Sequence, residues 1–338
     1  MGAINNKLYC TGSGWDCSFN LLISFVKVPK HRLIRLPMFF TDFKPFTVEV
    51  QSDPPVTIFG KKSDRQGSEA FPPLLLLHGF PQSHYCWHNV VPSLMHKYNI
   101  VLMDLRGYGE SSKPELVSQY AKSLMARDCA IVMSTLGFET FFVCAHDRGA
   151  RVAHKLCVDY PERVRKAILL DIAPTLDMYS SPTFDMAKTY FHWFFLIQKT
   201  PFPEELIASN ARRTAEMFLA GGDKDQLERF DQVCFAYYVD RLGDKACIHA
   251  MCQDYRASAS VDLEEARQDE RLGIKIQCPL LVLWSKHGLI ASQYEPLNLW
   301  KALAKVQESV TGWAVDSGHF IPEHIPLQVA SAIETFLT

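Results

Sequence analysis

Apolar residues recur along this chain with two different periods, and each change of period marks a boundary between elements. Phe43–Gln51 and Val56–Lys61 alternate apolar and polar positions, the pattern of a half-buried strand. The cluster Ser52-Asp53-Pro54-Pro55 between them makes a turn. Pro73–His78 is a short unbroken apolar run ended by Gly79, as in a strand buried on both faces. A helical period follows over His84–Lys97, then a strand over Ile100–Leu105 and a helical stretch over Leu116–Leu136. Next come a strand over Phe141–Ala145, a helix over Arg148–Asp159 stopped before Pro161, and a strand over Arg165–Ile172. This alternation predicts an α/β protein with a mostly parallel sheet and helices on both faces.

From 174 to 276 the alternation stops. That segment is helix-like and aromatic, with Tyr190, Phe191, Trp193, Phe194 and Phe195 in one short stretch. Alternation resumes with a strand over Pro279–Trp284, a helix over Tyr294–Lys305, a strand over Ser309–Val315 and a helix over Pro326–Phe336. A block of about 100 residues is too long for a loop. It is expected to be a helical cap over the strand ends, where open α/β sheets bind ligands. The core is then 38–173 together with 277–338.

Composition narrows the class. The chain has 338 residues, 48% apolar and 21% charged, with a net charge of -2. That is a globular balance, with no basic face for nucleic acid. The longest apolar runs, Leu21–Val26 and Pro73–Leu77, are far short of a membrane span. Ten scattered cysteines form no CxxC pair and no metal spacing with histidine, and no Asn-x-Ser/Thr sequon occurs. Free thiols in a reducing compartment, and so a cytoplasmic protein, are expected. A homodimer is compatible with all of this. Residues 1–37 carry five basic side chains against the single acid Asp16. The basic residues come late and no amphipathic helix forms. The segment reads as a disordered extension or an upstream start, with Met38 opening the working protein, in preference to an organellar targeting peptide.

The chemistry concentrates in Ala145-His146-Asp147-Arg148-Gly149, where small residues flank position 147 between a strand and a helix. This is the pattern of a nucleophile elbow with aspartate in place of the usual serine. A carboxylate there attacks a saturated carbon and forms an ester. His319, in Ser317-Gly318-His319-Phe320 past the last strand, is placed to activate water against that ester. Asp171 ends the strand after the elbow helix and is placed to orient His319. The other position for the acid, Ser285-Lys286-His287-Gly288, has no carboxylate. The N–H groups of Phe80, in His78-Gly79-Phe80-Pro81, and of Arg148 are placed to form an oxyanion hole. No metal or organic cofactor is required.

From Met38 onward the chain carries His78-Gly79-Phe80-Pro81-Gln82, Asp104-Leu105-Arg106-Gly107-Tyr108-Gly109, Asp147-Arg148-Gly149-Ala150-Arg151, His192-Trp193, Asp254-Tyr255-Arg256 and Gly318-His319-Phe320. In these motifs it resembles the fluoroacetate (haloacetate) dehalogenases of the α/β-hydrolase superfamily. The first two motifs are shared with epoxide hydrolases, whereas the run after Asp147 with a downstream His-Trp is narrower. Ala145 stands where the family usually has glycine. The resemblance implies an α/β-hydrolase fold, a halogenated carboxylate as substrate, and His192, Trp193 and Tyr255 as the halide pocket. Arg148 and Arg151 share a helix face at its N-terminus, a good place for a substrate carboxylate. An epoxide hydrolase would use the same machinery with cap tyrosines as acids, for which Tyr190, Tyr237, Tyr238 and Tyr255 are candidates. A non-catalytic ligand receptor of this fold would lack the nucleophile or the histidine, and here both are present.

Overall fold

The structure is a computed structural model that describes residues 39–64, 67–180 and 182–338. The extension 1–37 and Met38 lie outside the described residues, as do Cys10 and Cys17. Eight strands make one sheet: β1 (Phe43–Ser52), β2 (Pro55–Ser63), β3 (Pro73–Leu77), β4 (Asn99–Met103), β5 (Phe141–His146), β6 (Val164–Leu170), β7 (Leu280–Ser285) and β8 (Val310–Val315). Their order is β1-β2-β4-β3-β5-β6-β7-β8. β1 and β2 pair antiparallel, as do β2 and β4, and every later pair is parallel.

The unbroken apolar runs of β3 to β7 follow from burial on both faces. Leu75, Val101, Val143 and Leu169 belong to the apolar core on one side of the sheet. Their sequence neighbours Leu74, Leu76, Ile100, Leu102, Phe142, Cys144, Ile168 and Leu170 belong to the core on the other. Each such side chain taken fully from water contributes about 1.5–3 kcal/mol. A rigid central sheet results, and its strand ends carry the site.

Three helices differ from the sequence reading. The helical period over His84–Lys97 becomes a 3-10 turn at His84–Trp87 and a single α turn at Val91–Leu94. The His84 N–H and ring are bound by Asp104, and Pro92 lacks an N–H. The stretch from Leu116 breaks at Ala121 (φ -54°, ψ 138°), and the helix proper is Lys122–Thr135. That break lets the Lys122 N–H donate to Asp262. The helix expected from Tyr294 starts at Pro296 and ends at Leu303.

Between β6 and β7, nine helices run from Thr175–Ser180 to Val261–Arg271 among the described residues. All eight described cysteines are buried free thiols, Cys157 and Cys278 standing 3.8 Å apart. No described helix is long and apolar enough to cross a membrane.

Candidate active site

β5 ends at His146 and the helix Asp147–Asp159 begins at once, so the chain reverses without a loop. Asp147 takes up the strain, with φ at +46°, a region that residues bearing a Cβ rarely enter. Two glycines make the turn feasible. A Cβ on Gly149 would lie 2.5 Å from the His78 carbonyl oxygen, and one on Gly79 would lie 2.7 Å from Cβ of Asp147. Gly149→Ala is therefore expected to destabilise the fold, although alanine is the better helix former by about 1 kcal/mol. Overpacking against backbone atoms costs about 1–3 kcal/mol, and here the colliding atoms belong to β3 and its exit and cannot swing aside. A lower thermal midpoint with reduced turnover is the expected reading, and an unchanged midpoint would refute the account of the turn.

Asp147 is buried, 6% exposed. Its Oδ1 accepts the Phe80 N–H at 2.9 Å. Arg148, second in the helix, has no intrahelical acceptor for its own N–H. Burial alone would push the Asp147 carboxyl up, but the positive charge of His319 and Arg148 and the Phe80 N–H outweigh it and hold it at about 2. At neutral pH Asp147 is an anion, as a nucleophile must be.

His319 follows β8 and meets Asp171 at the end of β6, with Nδ1 donating to Oδ2 at 2.6 Å. Its Nε2 stands 3.8 Å from Asp147 Oδ2, beyond hydrogen-bond distance. Asp171 has φ at +53° and is anchored from β7, whose Ser285 N–H donates to its Oδ1 at 2.8 Å. The strand that lacks an acid of its own thus holds the acid of its neighbour. Burial would lower the His319 pKa, yet the bond to Asp171 and the charges of Asp171 and Asp147 raise it above the ordinary histidine value.

A cavity of about 240 Å³ opens over Asp147, with Phe80, Asp147 and His319 on the sheet side. The helical block supplies Tyr190, His192, Trp193 and Tyr255 to its wall. The His192 ring stacks on Phe80 (centroids 5.9 Å, planes 7° apart), and burial holds it neutral with a pKa near 3. The three residues of the expected halide pocket therefore share one chamber with the expected nucleophile. Two of the four candidate tyrosines do not line it. The Tyr237 hydroxyl donates to Glu110 and that of Tyr238 to Glu323.

The arginines sit differently from the sequence reading, in which both face the substrate. The Arg148 fork is engaged by Asp254, and the guanidinium lies 4.3 Å from the centre of the Tyr255 ring. Arg151 donates to Thr175 Oγ1 at 2.9 Å and lies 5.0 Å from the centre of the Trp193 ring. Neither lines the cavity, but each keeps a buried N–H without a partner, Nη1 of Arg148 and Nε of Arg151. Buried donors are nearly always satisfied, so both are free to meet an acceptor. Both guanidiniums pack on rings that line the cavity, Arg148 on Tyr255 and Arg151 on Trp193.

Some of the contacts that hold the site gave no signal in the sequence. Nε2 of His146 donates to the His319 carbonyl oxygen at 2.8 Å and so fixes the loop that carries the histidine. Lys122 and Tyr108 both donate to Asp254. These pairs span 132 to 173 residues of chain, and no spacing rule reaches that far. Among the described residues no three His, Cys, Asp or Glu side chains are grouped to hold a metal ion.

Comparison with known proteins agrees with this geometry. Residues 72–323 match the family described as "alpha/beta hydrolase fold". A fluoroacetate dehalogenase of Burkholderia sp is 38% identical over 271 residues, 79% of this chain and 87% of that protein. A soluble epoxide hydrolase of Corynebacterium sp. (strain C12) is 31% identical over 75% of this chain and 86% of its own. Among solved structures, ALR0039 from Nostoc sp PCC 7120 superposes with a TM-score of 0.81 at 42% identity, covering 88% of this chain and 99% of that one. With this sheet, this elbow and these likenesses, the chain belongs to the α/β-hydrolase family, among its haloacetate dehalogenase-like members.

Proposed function

We propose that the protein is a hydrolytic dehalogenase that converts haloacetates to glycolate and halide through an ester on Asp147, with residues 174–276 acting as a cap. The observation that carries this reading is an ionised aspartate at the elbow with two arginines close after it in the same helix, each with a buried N–H to spare. A carboxylate held by those N–H groups would present its neighbouring carbon to Asp147.

Oδ1 is held by Phe80, so Oδ2 is the attacking oxygen. It forms a bond to carbon two as the carbon–halogen bond breaks, and the electron pair leaves with the halide. Water then adds to the Asp147 carboxyl carbon while His319 Nε2 takes its proton. Oδ1 becomes the oxyanion, stabilised by the N–H groups of Phe80 and Arg148. Collapse expels the glycolate alkoxide, which is protonated through His319. Haloacetate and water become glycolate, halide and one proton.

His192, Trp193 and Tyr255 would solvate the departing halide. Fluoride is the hardest case, because its bond is strong and the ion is strongly hydrated. Trp193→Phe keeps most of the ring and deletes the N–H. On fluoroacetate the loss is expected to be about 3 kcal/mol, as for other donors aimed at developing charge. On bromoacetate it should be much smaller. The fluoroacetate-to-bromoacetate ratio of kcat/KM, compared between wild type and variant, checks this, and an unchanged ratio would make Trp193 a packing residue only.

An epoxide hydrolase is the second reading, favoured by Tyr190 and Tyr255 on the cavity wall with Asp147 and by the Corynebacterium relative. Halide release from fluoro-, chloro- and bromoacetate, set against diol formation from a small epoxide, separates the two. Diol formation without halide release would replace the first reading with the second.

A further inference from the structure

Arg148 and Arg151 begin the same helix, yet the fold treats their charges differently. Arg148 Nε and Nη2 donate to the two oxygens of Asp254, each at 2.8 Å. Asp254 also accepts from the Lys122 ammonium at 2.5 Å and from the Tyr108 hydroxyl at 2.7 Å. Lys122 reaches on to Asp262 at 3.3 Å. Arg148, Lys122, Asp254 and Asp262 are all buried, and they balance as two cations against two carboxylates. Arg151 is outside this balance. It is 3% exposed, and its guanidinium donates only to neutral groups, the Ala173 carbonyl, Thr175 Oγ1 and Met178 Sδ. Among the described residues it forms no ion pair within 4.0 Å, and its Nε has no partner.

We propose that Lys122 and Asp254 are positioning residues that neutralise and fix Arg148, leaving Arg151 as the uncompensated cation that draws the substrate carboxylate into the site. The inference rests on the haloacetate reading for the identity of that carboxylate. A buried charge without a counter-ion is unfavourable. Burial, and then the neighbouring Arg148, pull the Arg151 pKa down. An incoming carboxylate relieves both effects. Arg148, already matched by Asp254, adds direction through Nη1 rather than net charge. Lys122 acts at one remove. Without it, Asp262 would lose its cation and Asp254 would keep only Arg148, and the surplus negative charge would oppose an anion beside it.

The test is calorimetric titration with acetate, the substrate without its leaving group, and with acetamide, its neutral counterpart. Arg151→Met should weaken acetate binding by 100-fold or more, and Lys122→Met by about tenfold. Lys122→Arg should restore it to within threefold of wild type. Acetamide binding should change less than threefold in all three, a split that a merely structural defect would not produce. A folded Lys122→Met protein with wild-type acetate affinity would overturn the proposal. If Lys122→Met does not fold, Arg151→Met decides alone, since it leaves every carboxylate paired, and acetate affinity within threefold of wild type then overturns the proposal. Wild-type protein that binds acetate with this pattern but releases no halide would uphold the division of charge and overturn the haloacetate reading. Halide release with acetate affinity falling equally in Arg148→Met and Arg151→Met would do the reverse.

Discussion

Asp147→Asn is expected to abolish dehalogenation, with kcat falling by a factor on the order of 10⁴ to 10⁶, as when one member of a catalytic unit is removed. The substitution is nearly isosteric, and the Phe80 N–H can still donate to an amide oxygen in place of Oδ1. The fold should therefore survive. What disappears is the anion held at about 2, and an uncharged amide is a poor nucleophile toward saturated carbon. Freshly purified variant, assayed for halide release with a matched melting curve, supplies the measurement. Near wild-type release would place the nucleophile elsewhere. A single turnover of wild type in water enriched in heavy oxygen gives a second check. The first glycolate should carry an unlabelled oxygen taken from Asp147, and label in that first product would exclude the ester.

His319→Asn is expected to stop the cycle halfway. Attack by Asp147 does not need the histidine, whose Nε2 stands 3.8 Å from the carboxylate. Ester hydrolysis does, because only a base so placed can take a proton from water. Halide should appear in a burst of about one equivalent per site, and intact mass should show a substrate-derived adduct on Asp147. Loss of activity with no adduct would contradict the two-step division. The same residue sets a pH limit. His319 must be neutral to act as a base, and its pKa lies above the ordinary histidine value because of Asp171 and Asp147. Turnover should therefore fall as pH drops through that raised value, starting above the usual range for histidine titration. An acid limb below the ordinary value would show that Asp171 does not support the imidazolium.

The proposed reacting groups were legible in the sequence because each sits next to a local signal. Asp147 lies between a buried strand and a helix, and His319 follows the last strand. Asp171 ends the strand between them and was favoured where Ser285-Lys286-His287-Gly288 holds no carboxylate. The environment of the arginines was not legible. Asp254 meets Arg148 across 106 residues, and Lys122 meets Asp254 across 132. Such pairing is decided by how the helical block settles on the sheet. Helix ends failed for a related reason. The apolar period through His84–Lys97 is real, but the polar atoms of Asp104 and the missing N–H of Pro92 divide it.

The helical block enters after β6 and leaves before β7, so both of its junctions lie in the middle of the sheet rather than at a chain end. Asp147, Asp171 and His319 hang from strand ends of the sheet. The residues proposed to face a leaving group hang from the insertion. On the proposed function, chemistry and substrate choice are thus carried by separate pieces of chain. The block could then diverge, or be exchanged with that of a relative such as the Corynebacterium epoxide hydrolase, while Asp147, Asp171 and His319 stay in place. Asp254 marks the boundary of that freedom: it belongs to the exchangeable piece, yet it grips an arginine of the fixed one, so a transplanted block must bring its own carboxylate for Arg148 to be accepted.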